Sequence, residues 1–137
     1  MSGTWIMDIP SIVFSRLKME FPQKTKDKLG MTDKNFSTVS ATSKTAVFPF
    51  VFVSLISASE QGQTLVGEGL NAGMFSFQVD VIDNQSQNRA REVMTEIMQI
   101  MKRMRFDAFD MPTFESTEDT HRCTSRFRRM IGSLDSL

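Results

Sequence analysis

The run Val47 to Ser57, VFPFVFVSLIS, constrains this chain more than any other stretch. Side chains alternate across a strand, so Phe48, Phe50, Phe52 and Ile56 share one face and Val47, Val51, Val53 and Leu55 the other. A strand that is apolar on both faces has to be covered on both. A small domain has little material for that, so a second molecule is one source of the missing cover. Pro49 sits inside the run and has no N–H to give a ladder, which places an edge or a bulge there. Met74 to Ile82 behaves differently. Phe75, Phe77, Val79 and Val81 alternate with Ser76, Gln78 and Asp80, the pattern of a half-buried antiparallel strand.

The helical signals are equally readable. From Ser86 to Met104, Ala90, Val93, Met94, Ile97, Met98, Met101 and Met104 recur at spacings of three and four. Asp83, Asn84 and Ser86 are cap candidates, and Lys102, Arg103 and Arg105 sit at the negative end of the dipole. Val93, Ile97 and Met101 are expected to face the strand residues Phe75, Phe77, Val79 and Val81. Ile9 to Phe21 reads as a shorter amphipathic helix, capped by Asp8 or Ser11 and ended by Pro22. Gln23 to Lys34 is polar, Lys-rich and broken by Gly30, and reads as a mobile loop. Asn35 to Ser40 carries a weak strand signal. Ser57 to Gly73 is polar and dotted with Gly62, Gly67, Gly69 and Gly73, far longer than a hairpin needs. Phe106 to Phe114 and Thr120 to Ile131 read as a terminal pair of strands joined by Glu115 to Asp119.

Together these elements predict an α+β fold: a mainly antiparallel sheet of four to five strands with two helices packed on one face. With 137 residues the chain is sized for a single domain, with an ordered core over residues 8–131 and mobile loops near 23–34 and 58–73. The 12 Phe with no Tyr supply apolar area without a hydroxyl to place, which suits packing more than polar recognition. The 11 Met fill irregular gaps and adapt to partners. Charge balances, 16 basic against 16 acidic, which argues against wholesale binding to nucleic acid or an anionic membrane. Met1 to Pro10 lacks the pattern of a secretory signal, and Ala46 to Ala58 is too short to span a bilayer as a helix. The lone Cys123 fits a reducing compartment, so the expectation is a soluble protein made in a cytosol.

No pattern of residues points to catalysis. His121 is the one histidine, so an acyl-transfer triad has a single candidate base, on a predicted terminal strand. His121 and Cys123 have metal-binding chemistry, but a closed zinc site needs four ligands and the chain has no second Cys or His. The stretch Gly62 to Gly69 lacks the Lys-Ser/Thr of a phosphate-binding loop and does not open a helix. The expectation is therefore no enzyme, no metal and no cofactor. Three features carry interaction readings. The stripe Met94, Met98, Met101 and Met104 with its basic flanks resembles a calmodulin-target helix in composition, and a core-facing helix packed on Phe75, Phe77, Val79 and Val81 explains it more simply. The long connection, with Gly62, Leu65 and Glu68, is expected to project and touch a neighbouring subunit. Arg122, Arg126 and Arg128 share one strand face, a row that is costly unless opposite charges lie near. The dense acidic block is Asp107, Asp110, Glu115, Glu118 and Asp119, supplied by the same chain or the next copy; the expectation is the next copy.

In their order, the N-terminal helix, FPFVFVSLIS, EQGQTLVGEGLNAG, MFSFQVDVIDN, SQNRAREVMTEIMQIMKRMRF and the closing HRCTSRFRRMIG resemble the tail terminator proteins of long-tailed bacteriophages, also called tail completion or tail-to-head joining proteins. The likeness covers roughly residues 8–131 and rests on pattern and order. It implies a virion protein forming a ring, typically of six copies, stacked on the last ring of tail-tube protein. Such a ring stops tube polymerisation and offers the docking surface for the filled head, with DNA passing through its lumen unread. The implied partners are further copies of itself, the tail tube protein and a neck or head-completion protein, with no membrane. The implied setting is the tail-neck region of the virion, assembled in the host cytoplasm. Two rival readings are an adjacent neck or head-completion connector, and a small cytosolic module that takes a peptide on its sheet edge.

Overall fold

The N-terminal helix follows from a four-residue repeat. Ile9, Val13 and Leu17 are buried along one side of α1 (Trp5–Glu20), and Phe21 continues their line. The helix begins before the expected caps and runs through Pro10, giving up one backbone bond to do so. The computed structural model describes residues 5–38, 47–61, 72–117 and 120–132. Among them are three α-helices and five strands in one sheet.

The segment read as a Lys-rich loop is instead helical, which corrects both the loop and the expectation of two helices. Pro22 is extended and starts α2 (Gln23–Leu29), and Gly30 closes it at φ +69°, its N–H bonded to the Lys26 carbonyl. Only glycine adopts that left-handed conformation without strain. The helix was hidden because seven residues hold one apolar anchor, Leu29, with Met31 following it into the core. Long-range bonds hold the rest. Lys26 Nζ donates to the Lys18 carbonyl at 3.2 Å, and Arg89 Nη2 to the Leu29 carbonyl at 3.4 Å. A single 3-10 turn, Asp33–Asn35, follows; Asn35 is buried and its Nδ2 donates to the Pro49 carbonyl at 2.7 Å.

The sheet comprises β1 (Phe36–Ser37), β2 (Phe50–Gln61), β3 (Ala72–Asp83), β4 (Asp107–Ser116) and β5 (His121–Gly132), ordered β1-β2-β3-β5-β4. The two-residue β1 runs parallel to β2, and every other pairing is antiparallel. Pro49, joined to Phe48 by a cis peptide, stands just before β2 rather than inside it. β2 then continues to Gln61, and β3 begins at Ala72. The connection read as 58–73 is therefore partly strand, with a register break between Leu55 and Ser57.

One face of the sheet carries the core. Val51 and Val53 of β2, Phe75, Phe77, Val79 and Val81 of β3, and Cys123, Phe127 and Ile131 of β5 bury against α1 and α3. Helix α3 (Gln87–Arg103) contributes Ala90, Val93, Met94, Ile97, Ile100 and Met101, all buried. Ser86 caps it, its Oγ accepting from the Arg89 N–H at 3.2 Å. One turn earlier, the fully buried Asp83 accepts through Oδ2 from the Gln85 and Ser86 N–H groups, fixing the exit from β3. Phe106 closes the core edge-on to Phe77, with ring centroids 5.4–5.6 Å apart in this and the Phe21–Phe36 pair. No helix among the described residues is long and apolar enough to cross a membrane.

Candidate interaction surface

Alternation places the arginine row on the face turned away from the helices. β5 sends Cys123, Ser125 and Phe127 into the core, so Arg122, Thr124, Arg126 and Arg128 point outward. The register then decides what they meet. Arg122, Thr124, Arg126 and Arg128 lie opposite Ile82, Asp80, Gln78 and Ser76 of β3. On the other side, Glu115, Asp110 and Asp107 lie opposite Arg122, Arg126 and Arg128.

Asp80 is the centre of this face. Its side chain is only 2% exposed, a burial that a carboxylate tolerates only with good partners. Thr124 Oγ1 donates to Oδ1 at 2.5 Å, Gln78 Nε2 donates to Oδ2 at 3.2 Å, and Arg122 Nε lies 3.7 Å from Oδ1. Arg126 Nε donates to Gln78 Oε1 at 3.0 Å, which ties a second arginine to the same network. Arg128 takes a different partner, its guanidinium 5.1 Å from the centre of the Phe109 ring.

Asp107, Asp110 and Glu115 of the acidic block thus stand on the strand beside the arginine row, and Glu118 and Asp119 lie outside the described residues. Within the chain the three arginines turn to separate partners, Arg122 to Asp80, Arg126 to Gln78 and Arg128 to the Phe109 ring. Sequence reasoning placed Asp80 on the polar face but missed it as a buried acceptor. Its position two residues from Gln78 was the available signal, and the pairing with Thr124 became visible only with the register.

The remaining candidates separate. Gly62, Leu65 and Glu68 lie outside the described residues. The β2–β3 hairpin that leads to them exposes Leu55 at 41% and Ile56 at 46%. His121 bonds through Nδ1 to Ser116 Oγ at 2.9 Å across the β4–β5 turn. Cys123, two residues on, is fully buried; burial pushes its thiol up to about 11, Arg91 opposing the shift and Asp80 adding to it. A thiol that protonated is a poor nucleophile and a poor ligand. Among the described residues, no three of His, Cys, Asp or Glu come together as metal ligands would.

A cleft of about 500 Å³ lies between α3 and β4. Met98, Phe106, Ala108 and Phe127 line it, with Lys102 and Asp107 also on its wall. Met98 is the member of the helix stripe that is only partly buried, because it looks into this cleft. Phe75, Phe77, Val79, Val81, Val93, Ile97 and Met101 are all buried in the helix–sheet core. No family model matches the chain, and no curated protein matches it.

Proposed function

We propose that this chain is a structural subunit of a long-tailed phage: a ring that caps the tail tube, stops its growth and presents the head-docking surface. The ring, its typical six copies and its partners come from the resemblance of the ordered stretches between the N-terminal helix and HRCTSRFRRMIG. The observation that carries the reading is a sheet whose core lies on one face, while its long β2–β3 hairpin holds Leu55 and Ile56 in solvent. A subunit buries such side chains against neighbours. In this reading the partners are further copies of the chain, the tail tube protein and a neck protein, and DNA passes without being read.

A specific observation favours a second reading, capture of an extended peptide. Beyond Phe52, β2 has no strand on its outer side among the described residues, so its backbone groups can take an added strand. Mass measurement of the purified protein, alone and mixed with tail tubes, separates the two. Closed rings, or caps at one tube end, are expected. A monomer that ignores tubes at every concentration refutes the ring.

A further inference from the structure

The two outermost long strands differ in how their free sides are protected. β4 carries Asp107, Asp110, Pro112 and Glu115 and two register breaks, devices that discourage an added strand. β2 has a single break and little else. β1 covers only Val51 and Phe52, and beyond them no strand flanks the outer side of β2 among the described residues. From Phe50 to Ser59 the strand holds no charge and no proline. Exposure rises where β1 ends: Val53 is buried, Ser54 half-buried, and Leu55, Ile56, Ser57 and Ala58 are all exposed. The edge therefore offers backbone donors and acceptors among small and apolar side chains, and an extended strand is what fits it.

The same stretch is symmetrical about its break, which leaves Ile56 without a partner in β3. Before the break, Val53 and Leu55 lie opposite the core residues Val79 and Phe77, and Ser54 lies opposite Gln78 on the other face. After it, Ala58 lies opposite the core residue Phe75, and Ser57 lies opposite Ser76 on the other face. The extra residue thus makes Val53 to Ala58 read alike from either end, in polarity and in face. A half-turn about an axis through the break, perpendicular to the sheet, sets Val53 of one copy beside Ala58 of another and Ser54 beside Ser57. Leu55 and Ile56 of both copies gather at that axis. A foreign peptide has no need of such symmetry. The helix layer also stops short of Leu55, so a peptide laid there meets backbone groups without a walled pocket for its side chains. A second copy instead brings its own Leu55 and Ile56 to cover these two.

We infer that two copies of this chain pair antiparallel through their β2 edges, joining two sheets into one across a two-fold axis at the Leu55–Ser57 break. Such a contact is isologous, the same patch serving on both sides, and it closes as a dimer. It cannot close a ring by itself, so it is separate from the head-to-tail seam of the ring reading and does not depend on it. Small apolar and serine pairs across the axis supply the side-chain part of the contact.

The test is sedimentation equilibrium of the purified full chain with Ile56→Lys and Ile56→Glu, each alone and then mixed in equal amounts. The wild type dimerises reversibly. Each variant alone brings like charges together at the axis and weakens the dimer by about tenfold. The mixture recovers it as a Lys–Glu heterodimer, less so in high salt. Recovery on mixing is particular to a two-fold contact, because only there does residue 56 of one copy meet residue 56 of the other. A wild type that stays monomeric overturns the inference, as do variants that dimerise normally or a mixture no better than its parts. Should the Ile56 variants fail to fold by circular dichroism, the same exchange at Leu55, also exposed and beside the axis, carries the test. Dimers that respond this way in a protein that never caps tubes leave the contact standing and remove the tail function. Rings that cap tubes but are indifferent to the exchange do the opposite.

Discussion

Ile97→Ala tests whether α3 belongs to the core or to a partner. Ile97 is fully buried midway along the helix, within the same cluster as Phe77 and Phe127. The substitution removes three carbons, each worth about 0.8 kcal/mol on transfer from water, so about 2–2.5 kcal/mol is lost before any cavity forms. The void left behind adds about 24 cal/mol per Å³ that the neighbours cannot refill. The adjoining side chains come from a helix and a sheet that cannot both close in, so a total of about 3–4 kcal/mol is expected. Urea unfolding followed by circular dichroism reads this as a lower midpoint at unchanged slope. Met98→Ala is the internal control: Met98 is only partly buried at the α3–β4 cleft, and its truncation should cost visibly less. A loss below about 1 kcal/mol for Ile97→Ala refutes the core assignment. Coupled with a lost binding partner, it makes α3 a target helix instead.

Three further outcomes follow from the same structure. Gly30→Ala should cost about 1 kcal/mol by the same urea assay, because a Cβ there meets no atom within 4 Å and the whole penalty is the left-handed backbone; an unchanged midpoint would show that α2 does not end as described. Thr124→Val takes away the 2.5 Å donor to Asp80 and should cost about 1–3 kcal/mol, the usual loss when a buried acceptor is stranded; a neutral result would mean Gln78 and Arg122 suffice. Cys123 should resist thiol reagents in the native protein and react once unfolded. Its folded pKa is raised, so the native state keeps a proton that the unfolded chain has lost between about pH 9 and 11. Stability should therefore be fully present below pH 9 and fall across that window, with a shallower fall in Cys123→Ala; equal slopes in the two proteins would contradict the buried thiol.

Long periodic stretches were legible from the residues. Met74 to Ile82 alternates without a fault, and β3 covers it with one or two residues added at each end. The stripe from Ala90 to Met104 is α3, though the sequence pattern passed over Ile100, which is fully buried beside it. Such elements read well because one face is buried throughout, so burial imposes its period on the composition. Helix α2 had no such period. Its seven residues offer one apolar anchor, Leu29, and a Gly30 stop, and the contacts that hold them, to Lys18 of α1 and Arg89 of α3, are not visible in the local sequence.

The sequence by itself determined that Arg122, Arg126 and Arg128 share a face, because the two-residue repeat of a strand leaves no choice. It also determined that β5 would bury Cys123 and Phe127 if that face pointed outward. What stood across from the arginines was a question of register, which local sequence does not encode. Shifting β5 by one residue against β3 would turn every side chain over. The tertiary structure chose the alignment that buries Phe127 against the helices, and the same choice set Thr124 beside Asp80 and Gln78 beside Arg126. The polar network is thus a consequence of packing on the opposite side of the sheet, and only the folded chain brings the two together.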